Sequence, residues 1–151
     1  MTAPAPRPTV LLELFVAFQR SAQAVELAFA EHDLDVPDFA ILSTIGIEGP
    51  VTATALARRL GMAQRTMLFR VRRLVDAGLV ERTRSEDDRR EVHLRLTRAG
   101  AELRVTAAPA FSSLVARLEG RLRDPEAVRA AVRELADGLE AEIDAQKGRT
   151  A

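Results

Sequence analysis

Between Val51 and Gly100, two short helical patterns, a glycine stop at Gly78 and two alternating segments about a charged turn follow one another. With long amphipathic patterns on either side, that order predicts a mainly α fold with a small β-hairpin wing. In full it is a winged helix-turn-helix flanked by N- and C-terminal dimerisation helices. The charge pattern agrees. Between Arg58 and Arg98 twelve arginines stand against six acids, a balance of +6, whereas the rest of the chain holds ten basic and sixteen acidic residues, a balance of −6. A formal net charge of zero therefore hides a basic centre between acidic flanks, as expected where one face meets phosphates and the other helices meet a partner chain.

The chain of 151 residues is 47% hydrophobic, enough for one DNA-binding-sized domain with helical extensions and a proper core. It has no cysteine, which excludes disulfides, thiolate zinc sites and thiol redox sensing. No apolar run approaches the ~18 residues of a membrane span, and the start MTAPAPRPT lacks the apolar stretch of a signal peptide. A cytoplasmic location is the expectation.

Residues 1–8 contain three prolines and are expected to be a flexible N-terminus. Thr9 is a candidate N-cap for a helix carrying Val10, Leu11, Leu14, Phe15, Phe18, Ala22, Val25 and Phe29 at helical spacing to about Glu31. Residues 9–35 form the expected N-terminal dimerisation segment, and 36–100 the DNA-binding domain. Within the latter, Asp38 is the candidate cap of a helix from Phe39 to about Ile47, ended by Gly49-Pro50. Thr52 or Thr54 starts a short helix ended by Gly61, and the next helix runs from about Ala63 to Ala77 with Gly78 at C′. Leu79–Arg84 and Glu91–Leu96 read as strands, the second burying Val92, Leu94 and Leu96 and wetting Glu91, His93 and Arg95. The turn from Ser85 to Arg90 is too charged to bury and is expected to project as a wing. Residues 101–151 are the expected C-terminal dimerisation helices. Thr97 caps the first, in which Pro109 predicts a kink or break, and Asp124-Pro125-Glu126 starts the second. That last helix carries Val128, Val132, Leu135, Leu139 and Ile143 in a narrow stripe near a coiled-coil seam. The flanking helices hold more apolar surface than a small winged helix needs, which favours a homodimer.

On a helical wheel of Ala63–Ala77, Met67, Val71, Leu74 and Val75 form a core side. Arg65, Thr66, Phe69, Arg72, Arg73 and Asp76 point the other way, with Arg70 on the flank. Glutamine pairs with adenine N6 and N7 and arginine forks onto guanine O6 and N7, so Gln64 and Arg65 in the first turn are the candidates for base readout. Thr66, Arg70, Arg72 and Arg73 are the candidate phosphate contacts. Phe69 suits a thymine methyl or a sugar. Arg84, at the edge of the wing, joins the DNA-facing set.

Val51 to Gly100 resembles the MarR family of bacterial winged-helix transcription regulators. The resemblance rests on Leu56-Ala57-Arg58-Arg59-Leu60-Gly61, Leu74 with Gly78-Leu79-Val80-Glu81-Arg82, Asp88-Arg89-Arg90, and Leu94-Arg95-Leu96-Thr97 with Gly100. It implies a homodimer on a pseudo-palindromic operator. By the same match Arg90 reaches the minor groove, Asp88 holds it there, and Arg89 meets a phosphate. Ala63 and Leu68 stand where the family often has Ser or Thr, and Phe69 where a polar or basic residue is common. Ala63 in particular cannot cap its helix with a side chain.

The two histidines, His32 and His93, have no recognisable zinc spacing, even with Glu31, Asp33 and Asp35 close to the former. No G-x-S-x-G, phosphate loop or nucleophile–base pair is present, so neither an enzyme nor a cofactor is expected. The resemblance also implies a small aromatic or phenolic effector. Phe15, Phe18, Phe39 and Phe111 with Arg20 could line its site, the simpler reading being that these phenylalanines are core. The resulting expectation is a ligand-responsive repressor. The alternatives are a winged-helix protein-interaction module and a ligand-blind architectural DNA binder.

Overall fold

The computed structural model describes residues 9–32, 34–84 and 91–150. Residues 1–8, Asp33, residues 85–90 and Ala151 lie outside the described residues, and with them the expected wing and its Asp88, Arg89 and Arg90. Six helices and three strands follow one another among those described: α1 Val10–Ala28, α2 Val36–Glu48, β1 Val51–Thr52, α3 Ala53–Arg59, α4 Gln64–Asp76, β2 Val80–Arg84, β3 Val92–Leu96, α5 Arg98–Glu119 and α6 Pro125–Thr150. The chain divides into two compact units, Met1–Leu114 and Val115–Ala151.

The first unit is a winged helix built around α2. Ile41, Leu42 and Ile45 of that helix join Leu56 and Ala57 of α3, Met67, Val71 and Leu74 of α4, Val80 of β2 and Leu94 of β3 in one buried cluster. Its Phe39 joins Val25, Phe29 and Ala107 in a second. The second cluster explains where α1 stops. Helical spacing alone extends α1 to Glu31, but Phe29, 1% exposed, caps the helix and docks its ring 4.9 Å from that of Phe39. Phe39 in turn lies 5.1 Å from Phe111.

The cap of α2 also differs from expectation. Asp35, not Asp38, accepts the capping hydrogen bond, from the Asp38 amide at 2.9 Å. The helix starts a turn earlier because Val36-Pro37 occupies its first positions, where proline lacks no needed donor. Asp38 is thereby freed for another partner.

The sheet has the order β1-β3-β2, antiparallel throughout. β1 was not legible in advance. Two residues carry no alternation, and Val51 and Thr52 extend only because Leu94 and His93 pair with them. In β3, Leu94 is buried and Leu96 half-buried, but Val92 is 46% exposed. It pairs with Arg84 at the wing end, beyond the reach of the core.

Helix α4 ends in a full Schellman motif. The Leu79 amide donates to the Leu74 carbonyl and the Gly78 amide to that of Val75, with Gly78 at φ 71°, a conformation glycine adopts without a Cβ penalty. Helix α5 is continuous through Pro109 rather than broken. The carbonyl left without a donor is that of Val105, and Val105 and Pro109 are both exposed, so water can replace the lost bond while Ala107 stays buried on the other side. In the second unit, Asp124 caps α6 through the Ala127 amide at 3.0 Å, with Pro125 as its first residue.

Candidate nucleic-acid interface

Helix α4 is one-sided. Met67, Val71 and Leu74 are buried at 0%, 1% and 3% exposure, and Val75 packs half-buried beside them. Gln64, Arg65, Thr66, Leu68, Phe69, Arg72 and Arg73 are exposed. The first turn presents its backbone amides without side-chain competition, because Ala63 has extended cap geometry but makes no side-chain cap bond. A helix N-terminus with free amides favours an anion. Gln64 Nε2 donates to Thr54 Oγ1 at 3.2 Å, which ties the exposed face of α4 to the start of α3.

Three arginines therefore project from one surface: Arg65, Arg72 and Arg73. Arg72 has an acidic neighbour, Asp76, at 4.0 Å, with both side chains more than 70% exposed. An exposed pair of this kind contributes ~0–1 kcal/mol, so a phosphate can displace it. Phe69 is 63% and Leu68 47% exposed, an apolar pair set among the cations. Arg84 is exposed at the end of β2.

Arg70 is different. Its Nη1 lies 2.7 Å and 3.0 Å from the two carboxylate oxygens of Asp35 and 2.8 Å from Asp38 Oδ1. Its side chain is only 20% exposed, and that of Asp38 8%. Partial burial lowers the arginine pKa, but the hydrogen bonds to Asp35 and Asp38 and their charges outweigh it, and the value ends above the ordinary one. The guanidinium expected at a phosphate is thus already engaged by two carboxylates of α2. Helical periodicity put Arg70 on the flank of α4 but could not reveal partners 32 and 35 residues away.

The cap expected at Thr97 is present and has a second partner that local spacing did not reveal, the carbonyl of Gly78. Thr97 Oγ1 donates to the Gly78 carbonyl at 2.6 Å and accepts from the Gly100 amide at 3.1 Å. The hydroxyl caps α5 and ties it to the end of α4.

The phenylalanines considered for an effector site separate. Phe39 and Phe111 belong to the core cluster with Phe29, whereas Phe15 and Phe18 are exposed on α1 at 59% and 64%, and Arg20 is exposed. An open hollow of about 590 Å³ lies instead beside Phe29, with Glu26, His32, Asp35, Asp38 and Arg73 on its walls. Among the described residues, no group of three or more His, Cys, Asp or Glu could hold a metal ion, and no helix is long and apolar enough to cross a membrane.

A family model described as MarR family matches residues 34–92. The uncharacterized HTH-type transcriptional regulator YhjH of Bacillus subtilis (strain 168) is 30% identical over 74 residues, 49% of this chain and 42% of that protein. The match thus spans less than half of the relative's length. Among solved structures, M. tuberculosis MosR in complex with DNA aligns with a TM-score of 0.81 at 23% identity, over 89% of this chain and 98% of that one. Bordetella bronchiseptica BpsR, whose DNA binding is regulated by 6-hydroxynicotinic acid, aligns with a TM-score of 0.76 at 22% identity, over 91% and 98%. At these identities the likeness to the solved structures is one of fold.

Proposed function

We propose that the chain is a regulator of the MarR family, whose model matches residues 34–92, and that it is a sequence-specific DNA-binding repressor acting as a homodimer on a pseudo-palindromic operator. The observation that carries this reading is the one-sidedness of α4: a buried seam of Met67, Val71 and Leu74 opposite an exposed face of Gln64, Arg65, Thr66, Phe69, Arg72 and Arg73. A second helix of a winged unit, basic and long enough to lie in a major groove, is the element that reads DNA in such folds. Gln64 and Arg65 read base edges. Thr66, Arg72 and Arg73 meet phosphates. The wing residues Arg84, Asp88, Arg89 and Arg90 serve the backbone and the adjacent minor groove.

The dimer is supported by apolar residues left exposed at the two ends of the chain. On α1, Val10, Leu11, Phe15 and Phe18 are each more than half exposed, and on α6 Val132 and Ile143 are as well. Exposed apolar residues repeated along one helix in this way suit an interaction site, and a two-fold pair of winged helices matches half-sites about one helical turn apart. The regulation of the Bordetella protein by 6-hydroxynicotinic acid supports an effector of the small aromatic acid class. Such an effector weakens DNA binding by its preference for a dimer whose α4 helices are wrongly spaced. Action in the cytoplasm follows from a DNA target.

The test is fluorescence anisotropy on duplexes flanking the gene, beside scrambled duplexes, with Arg90→Ala as control. Preferential binding weakened by Arg90→Ala is the expected result. Equal, weak binding to both duplexes favours a protein partner instead, a reading to which the exposed Leu68 and Phe69 would then point.

A further inference from the structure

The apolar seam of α4 fixes its depth and, by close packing, its coarse orientation. Contacts of Met67, Val71 and Leu74 with the core are non-directional, and an α-helix with side chains is about 10–12 Å across. A roll of ~10° about the axis therefore moves a side-chain tip by ~1 Å, comparable with the whole range of good hydrogen-bond distances. Directional contacts refine the angle at which Arg65, Thr66, Phe69, Arg72 and Arg73 leave the surface: an exposed hydrogen bond from Gln64 to Thr54 on α3, and the part-buried ion pairs of Arg70.

Among the described residues, Arg70 is the α4 side chain with ion pairs to another helix. It reaches from the flank of α4 to the first turn of α2, where Asp35 caps the helix and Asp38 is buried within it. Both carboxylates are held by their places on α2, whose Ile41, Leu42 and Ile45 are fully in the core. The anchor is therefore rigid and the contact angular. Resting on the DNA-binding reading, we propose that Arg70, clamped by Asp35 and Asp38, is a positioning residue that sets the roll of the recognition helix, and that it makes no phosphate contact. Two carboxylates already more than neutralise its charge, so it adds nothing to counterion release when DNA binds.

Two opposed expectations separate this from a phosphate role. A duplex selected by the wild-type protein from a randomised pool and a scrambled duplex of equal length are titrated at several salt concentrations. Under the clamp, Arg70→Gln weakens the selected duplex at least tenfold, leaves the scrambled duplex unchanged, and keeps the log–log salt slope. Arg72→Gln lowers that slope by about 1. Asp38→Asn, which leaves every arginine in place, also loses discrimination at unchanged slope, and it decides the matter should Arg70→Gln fail to fold. A phosphate role predicts the reverse: Arg70→Gln reduces the slope as Arg72→Gln does, and Asp38→Asn releases Arg70, tightening binding and steepening the slope. Either of these results overturns the clamp, as does equal loss on both duplexes by an Asp38→Asn protein of wild-type helix content, or discrimination untouched by both variants. Wild-type protein that binds neither duplex overturns the DNA reading itself, and the wild-type titration distinguishes that failure from a failure of the clamp.

Discussion

The Thr97 hydroxyl lies 2.6 Å from the carbonyl oxygen of Gly78. One side chain thus uses its donor to hold the end of α4 and its acceptor to cap α5 through the Gly100 amide, while the Thr97 amide donates to the Leu79 carbonyl at 3.1 Å. The same contact makes Gly100 necessary: a Cβ there would stand 2.0 Å from Leu79 O. The spacing Thr-x-x-Gly is therefore a packing device that brings α5 against the turn after α4.

Gly100→Ala is expected to lower stability by about 1–3 kcal/mol, the usual range for overpacking, because backbone rather than a flexible side chain blocks the methyl. Thr97→Val is expected to cost ~1 kcal/mol through the lost cap. Urea denaturation with an unchanged m-value checks both. A neutral Gly100→Ala would show that α5 can retreat freely from Leu79.

Ala63→Ser should stabilise the chain. Residue 63 already has the extended geometry of an N-cap, at φ −60° and ψ 138°, without a side-chain acceptor. Supplying one is expected to add about 0.5–2 kcal/mol, read as a higher midpoint in thermal or urea unfolding.

Phe69 and Leu68 give the DNA reading a specific signature. An exposed phenyl among arginines suits the thymine methyl, so replacing thymines by uracil in a selected duplex should weaken wild-type binding severalfold. Phe69→Ala should bind both duplexes equally. Unaltered wild-type affinity for the uracil duplex would assign Phe69 elsewhere.

The exposed face of α1 predicts the oligomeric state. The double substitution Phe15→Glu and Phe18→Glu is expected to convert a dimer to a monomer in sedimentation velocity, with helix content retained, since both residues are more than half exposed within one chain. A dimer that survives the change would move the interface off that face.

The start of α6 carries a pH signature. The hydrogen bond from Arg129, and then its charge, hold the Glu126 carboxyl below the ordinary glutamate range. A carboxylate with a depressed folded value stabilises fully above its unfolded pKa, and that contribution is lost as pH falls through the folded one. An NMR titration should show Glu126 protonating below the ordinary glutamate range, and Arg129→Gln should return it toward that range.

Periodicity and local chemistry made much of this molecule legible. Met67, Val71 and Leu74 recur at helical spacing, so their burial could be read without coordinates, and so could the exposed side that carries Arg65, Thr66 and Phe69. The caps at Thr9, Thr97 and Asp124 and the left-handed Gly78 were legible because each depends on residues within a turn of itself. Between two neighbouring aspartates, however, local chemistry could not choose the cap of α2. Either can accept an amide, and the choice fell to Asp35 with Asp38 turned toward Arg70.

The sequence by itself determined the order of the helices and of the two wing strands, the core face of α4 and the basic character of the centre, because these follow from side-chain type at fixed local spacing. Tertiary structure alone decided which charges remain free. Arg70 and Arg72 are two residues apart and chemically identical. One is half-buried against Asp35 and Asp38 and the other is 80% exposed, because the packing of α2 on α4 brings those two carboxylates to the flank that carries Arg70. The same holds for β1, which extends because β3 is there to pair with it, and for Phe29, whose helix ends where its ring meets Phe39. Long-range neighbours supply the directional bonds, and their identity is a property of the packed chain.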